Sequence, residues 1–244
     1  MPSLQPGALP LSYGGTPISN FNYGRVLYSF QLGGDMENIE EILNVIRNSI
    51  DEIDGILSLK DSVREEVYRL IRELTRNSSD VVTLIHRGLI GDAEKRLSIA
   101  EDIVKKINGL MREHPDIYYS GMVYNGLSEY VEAALFYEVI VKNNVSSWRR
   151  LDVPYVPYLQ GLGDLIGELR RYIIKLLDKG SIDEAVKYFN LMEEIYISLR
   201  KLDYPDALTP GLRHKVDVAS RLVEDTRMLI LNTKNAYICA PGKT

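Results

Sequence analysis

From Asp35 to the neighbourhood of Leu231, apolar residues recur three and four positions apart, the spacing of one face of an α-helix. The first such segment, to about Leu57, carries Ile39, Ile42, Leu43, Ile46, Ile50, Ile53 and Leu57 on one face. A second starts at Ser62, where Ser62 and Glu65 have capping-box spacing, and runs to about Arg87. A third follows Gly91, with Asp92 in its first turn, and ends near His114–Pro115. The fourth, Gly121 to Lys142, contains no proline and is apolar on nearly every face, so most of it is expected to be buried. A linker from Asn143 to Pro157 holds the only tryptophan, Trp148. The fifth helix runs from there to Lys179–Gly180. The sixth opens on a second capping box, Ser181 to Glu184, and fades near Asp203–Pro205. The seventh has Thr209 as N-cap and Pro210 at its first helical position, and continues to about Leu231. No run has the period-two, β-branched character of a strand, and no fixed-period repeat is present. The expectation is all-α: a single-domain bundle of about seven long helices.

Residues 1–34 break from this pattern. They are rich in Pro, Gly, Ser and Tyr and almost uncharged, the character of an unstructured or loosely docked arm. Charge begins at Asp35, and Met36 opens a sequence that reads like a conventional N-terminus. The expected organisation is therefore an arm at 1–34, a helical domain at 35–232 and a frayed tail at 233–244.

Composition removes several classes of function. A single cysteine, Cys239, precludes an intrachain disulfide and a cysteine-based zinc site. Three scattered histidines, without zinc-enzyme spacing, argue against zinc chemistry. A net charge of −5 disfavours a uniformly basic nucleic-acid module but leaves room for a local basic surface. No apolar run is long enough to span a bilayer and no signal-peptide pattern opens the chain, so no membrane partner and a cytoplasmic address are expected.

Two helices carry candidate chemistry. On the fourth, Met122, Gly126, Glu129, Ala133, Phe136 and Ile140 share one stripe, with Glu132 to one side. A carboxylate on such a stripe needs a cation or a water-filled pocket, because isolated burial costs several kcal/mol (roughly) or keeps it protonated. An inter-helix salt bridge or a subunit contact is the plainer alternative. On the fifth helix, Asp164 and Glu168 lie four apart, on a face with Gly161, Arg171 and Lys175. An ordinary solvated face accounts for that pair taken alone. Gly161, Gly163 and Gly167 weaken that account: helix-interior glycines are unfavourable unless another backbone or a ligand approaches closely. Paired acids on two helices are how bundles build carboxylate metal sites. If the four converge, all-oxygen ligands suit Mg²⁺, with Mn²⁺ as a substitute. A further feature lies on the second segment. Arg69, Arg76 and Arg87 fall on one line of the wheel, with Arg72 beside it, if that helix is continuous. Such a row suits a phosphate backbone; a face paired with Glu65, Glu73 and Asp80 is the alternative.

EYVEAALFYE in the fourth helix, then WRR and YLQGLGDLIGELRR, preceded by IRELTRNSSDVVTLIHR, together resemble the translin and translin-associated factor X family. The later LDYPDALTPGLRHKVDVASRLVEDTR is similar to its prokaryotic, archaeal-type members, and the likeness spans roughly Met36 to Leu231. The resemblance implies an all-helical protomer in a hollow homo-oligomer, usually an octamer, that binds single-stranded RNA or DNA on its inner surface. It also implies, for the factor X branch, a Mg²⁺-dependent endoribonuclease. Carried over by motif, EYVEA supplies Glu129 and Glu132, GDLIGE supplies Asp164 and Glu168, and the basic HR motif is His86 and Arg87. All four acids are present, which favours a catalytic copy over a purely binding one. The implied site has Glu129, Glu132 and Asp164 holding the metal. Glu168 is then an added ligand or a base, and Arg72, Arg76, His86 and Arg87 contact nucleic acid. A non-catalytic binder is the alternative. The linker around Trp148 is shorter than in eukaryotic members and the C-terminal helix differs, which leaves partner choice open.

Overall fold

The computed structural model describes residues 36–115 and 121–239, so the expected N-terminal arm lies outside the described residues. Those residues form six α-helices and no strand: α1 (Met36–Arg87), α2 (Ile90–Glu113), α3 (Gly121–Tyr137), α4 (Tyr155–Asp178), α5 (Ile182–Arg200) and α6 (Leu212–Cys239). The all-α expectation holds. The expected count of about seven becomes six among the described residues, because the first two expected helices are one helix of 52 residues. Between Gly55 and Ser62 there is no proline and no second glycine to stop it. The Ser62 hydroxyl donates to the Leu59 carbonyl, 3.0 Å away inside the same helix, so it bonds backward rather than capping a new one.

The chain divides into two units, 1–52 and 53–244, with the boundary inside α1. In the first unit, Ile39, Ile42, Leu43, Ile46 and Ile50 are all exposed. In the second, α4 is the central element and packs against α3, α5 and α6. Its face of Leu165, Ile166, Leu169 and Ile173 is fully buried, meeting Leu127, Leu135 and Phe136 of α3 and Met192 of α5 in one core.

Helix ends follow local chemistry. At the α1–α2 junction Gly88 takes φ +77°, which a side chain would resist. Its N–H bonds Ile85 O at 2.9 Å while that of Leu89 bonds Leu84 O at 2.9 Å, closing the last turn of α1. Gly180 and Ser181 repeat the device after α4, onto Leu177 and Leu176. Neither expected capping box operates: Ser181 precedes α5 but its hydroxyl makes no capping bond. Helix α3 runs into a single π-turn, Glu138–Lys142, ended by left-handed Asn143 (φ 49°). There the Glu138 carboxylate accepts from the Ser146 N–H and hydroxyl at 2.6 Å each, anchoring the linker. At the other end, α6 begins at Leu212, two residues after the expected Pro210, and stays helical to Cys239 instead of fading at Leu231. The preceding turn is held by the Asp206 carboxylate on the Gly211 N–H (3.0 Å) and by Gln160 Nε2 of α4 on Pro210 O (2.7 Å).

The contact that matters most for the site is between α3 and α4. A Cβ at Gly161 would stand 2.6 Å from Val131 Cγ1 and 2.8 Å from the Ser128 carbonyl oxygen, so only glycine permits this approach. Gly167, expected to mark a similar approach, meets nothing within 4 Å. Gly161→Ala is therefore predicted to destabilise by about 1–3 kcal/mol through overpacking. Gly167→Ala should be neutral or stabilising by up to about 1 kcal/mol, from helix propensity alone. Thermal midpoints at one protein concentration check the pair; equal effects would contradict the packing described here.

Candidate functional site: an acidic cluster between two helices

Glu129 and Glu132 lie one turn apart on α3, and Asp164 and Glu168 one turn apart on α4, so the Gly161 contact brings the two pairs to face each other. A cavity of about 410 Å³ is lined by Asn125, Ser128, Glu129, Glu132, Asp164 and Lys215. A second, of about 180 Å³, opens beside the same two glutamates and includes Glu168, Arg171 and the α1 residues Ser79 and Thr83. Electrostatics registers the crowding. Burial pushes the Glu132 carboxyl up to about 8, and the charges of Asp164, Glu168 and Glu129 add to the effect while Lys215 opposes it. Glu129 is also raised, first by burial and then by Asp164.

Asp164 and Glu168 each have a cationic or hydrogen-bonding partner. Lys215 Nζ, from the first turn of α6, donates to both Asp164 oxygens at 2.5 and 2.6 Å. His86 Nε2, from the last turn of α1, lies 2.5 Å from Glu168 Oε2, and Arg171 Nη1 is 3.7 Å from the same oxygen. Lys175 donates to the His86 carbonyl, which ties the end of α1 to α4. Among the described residues no three His, Cys, Asp or Glu side chains are gathered, as they lie, around one point fit for an ion. The two acid pairs thus lie on packed helices, but no one cavity is lined by all four, and Asp164 and Glu168 are each turned onto their own partner.

The expected nucleic-acid residues separate. Arg72, Arg76 and Arg87 are exposed on the continuous α1, and no ion pair engages them among the described residues. Arg69, by contrast, is engaged by Glu66 at 2.7 Å and Glu73 at 3.6 Å. His86 does not belong to that open row. Its side chain is 8% exposed, packed 5.0 Å from the Phe136 ring and bonded to Glu168, so it is part of the acidic cluster.

Lys215 is the residue that sequence reasoning missed. It lies 51 positions from Asp164, beyond any helical spacing rule, and the one available signal was its place within the family-like stretch GLRHKVDV. Ser79 and Thr83 of α1 were likewise unmarked.

Comparison with known proteins places the fold. The family model described as Translin family matches residues 62–226, which include all four acids. The chain belongs to the translin family. A relative from Methanocaldococcus jannaschii, itself uncharacterised, is 32% identical over 76% of this chain and 83% of its own length. The translin-associated protein X homolog of Schizosaccharomyces pombe is 25% identical over 64% of this chain and 74% of that protein. Among solved structures, AfC3PO in complex with duplex RNA superposes with a TM-score of 0.74 at 31% identity, covering 79% of this chain and 100% of that one. The apo form of NeC3PO, at 24% identity and a TM-score of 0.69 over 75% of this chain and 96% of its own, shares the fold.

The raised Glu132 carboxyl yields a pH prediction. In the unfolded chain it ionises near 4.5, and in the metal-free fold near about 8. Its stabilising contribution is therefore full below about 4.5 and is lost as pH rises through about 8. The loss can approach about 1.4 kcal/mol per pH unit. Relative to the parent, Glu132→Gln should gain thermal midpoint progressively from pH 5 to about 8. A difference that stays constant across this window would contradict the crowding described.

Proposed function

We propose that this chain is the subunit of a translin-like homo-oligomer that binds single-stranded RNA or DNA and cleaves RNA internally with Mg²⁺. The observation that carries the reading is that Glu129 and Glu132 line two adjoining cavities, one shared with Asp164 and the other with Glu168. The donor set fits a hard divalent cation: oxygens only, several of them carboxylates, with an ammonium already drawn onto Asp164. Glu129, Glu132 and Asp164 would hold the ion. When bound, it supplies Lewis-acid chemistry suited to phosphodiester hydrolysis. Glu168 is oriented by His86 and Arg171, both on Oε2, so Oε1 is the oxygen that would accept a proton from the attacking water.

Arg72, Arg76 and Arg87 would contact the nucleic-acid backbone, since they are exposed and engage no acid among the described residues. The AfC3PO relative is a complex with duplex RNA, which supports RNA as the polymer and leaves strandedness to be measured. Two observations support assembly. The similar solved structures are of C3PO proteins, and residues Ile39, Ile42, Ile46, Ile50, Ile53 and Leu57 present large apolar side chains to solvent in the single chain. An octamer is the state the family likeness suggests. No helix among the described residues is long and apolar enough to cross a membrane.

A second reading has its own support. Asp164 and Glu168 are already satisfied by Lys215 and His86, as in a binder whose acids serve only to hold helices together. A fluorescent single-stranded RNA incubated with Mg²⁺ or with EDTA separates the two. The proposed enzyme cleaves only with Mg²⁺, and Glu129→Gln lowers cleavage at least tenfold while RNA retention survives. Retention without cleavage under every condition supports the binder. Cleavage at parental rate by Glu129→Gln removes the acidic cluster from the mechanism.

A further inference from the structure

Lys215 is placed with more care than a surface ion pair requires. The turn before α6 is docked on α4 by Gln160, which sets the first turn of α6, and Lys215 within it, against Asp164. The lysine stem then lies along Gly163: a Cβ there would come within 3.1 Å of Lys215 Cβ and 3.2 Å of its Cδ. Gly163 is thus the groove in which the side chain runs. A cation in the first turn of a helix opposes the helix dipole, so α6 itself gains nothing from a positive charge here. The gain lies across the gap, where the ammonium faces Asp164, Glu129 and Glu132 in the 410 Å³ cavity.

We propose that Lys215 is the resident counter-cation of the acidic site and its selectivity-determining residue. It holds Asp164 while no divalent ion is present, and an ion gains that carboxylate only by displacing the ammonium. The inference rests on the reading of these acids as a divalent-cation site. It follows that the intrinsic affinity of the acids is masked by an internal competitor. Monovalent ions, which bring no more charge than the ammonium they would replace, are excluded, whereas Mg²⁺ or Mn²⁺ brings twice that charge to the same oxygens. The positive influence of Lys215 on both α3 glutamates is consistent with this role.

The test uses the full-length protein, Lys215→Met, which keeps the stem in its groove, and Lys215→Arg, which keeps the charge. Mg²⁺ is titrated calorimetrically at fixed ionic strength, and thermal midpoints are taken with and without it. Lys215→Met should bind Mg²⁺ at least tenfold tighter than the parent, with a metal-free midpoint lowered by several degrees and restored by saturating Mg²⁺. Lys215→Arg should keep the parental metal-free midpoint. Equal or weaker Mg²⁺ binding by Lys215→Met, with a midpoint that Mg²⁺ does not restore, would make Lys215 a structural ion pair and overturn the proposal. If neither parent nor Lys215→Met takes up Mg²⁺, the divalent-cation reading itself falls, and this inference with it. The parent offers a measurement independent of folding in the variants. Amine labelling of Lys215, read by mass spectrometry, should rise when Mg²⁺ replaces an ionic-strength-matched potassium salt, and an unchanged rate would overturn the exchange.

Discussion

The structure depends on a contact that places like charges together. Gly161 lets α4 close onto Val131 and the Ser128 carbonyl of α3, and that approach brings Glu129 and Glu132 against Asp164 and Glu168. Desolvation and mutual repulsion oppose the arrangement, as the displaced Glu132 carboxyl records. The fold answers with three devices. Lys215 reaches over from α6, His86 is carried in at the end of the long α1, and one glutamate is biased toward its protonated form. Each comes from a different element, so the stability of the bundle and the charge state of the cluster are coupled.

This coupling accounts for features that otherwise look unrelated. The Gly88 turn ends α1 one residue after Arg87 and so fixes where His86 sits. The Gln160–Pro210 bond fixes where α6 begins, and therefore where Lys215 sits. Lys175 holds the His86 backbone to α4. The exposed arginines lie on the same helix that delivers His86, so the proposed nucleic-acid surface and the acidic cluster share one element. Chemistry on a phosphodiester needs both, one to hold the backbone and one to act on it.

What could be read from the sequence was what is local. Three- and four-residue spacing gives the helices, and the EYVEA and GDLIGE stretches give the acids by resemblance. What escaped was what depends on distance along the chain or on competition between local signals. Ser62 with Glu65 looks like a helix start, but no proline or second glycine interrupts the chain before it and the helix runs through. Asn232 onward lacks a strong apolar period yet stays helical. His86 was grouped with the arginines because wheel position says nothing of a partner 82 residues away. Lys215 carried no signal beyond its place in a family-like stretch, since only the packing of α6 on α4 gives it meaning. Of three suspicious glycines, Gly161 and Gly163 mark close approaches and Gly167 does not, a distinction that composition cannot make.

We propose that these acids form a cation site held by Lys215 in the absence of a divalent ion. Crystals grown without divalent ions and then soaked in Mn²⁺ test it most directly, because manganese reveals its position by anomalous scattering. The proposed site should show a single strong peak within coordination distance, ~2.0–2.6 Å, of oxygens from Glu129, Glu132 and Asp164, with the Lys215 ammonium moved off Asp164. An intact Lys215–Asp164 pair at saturating Mn²⁺, with no peak between α3 and α4, would contradict it.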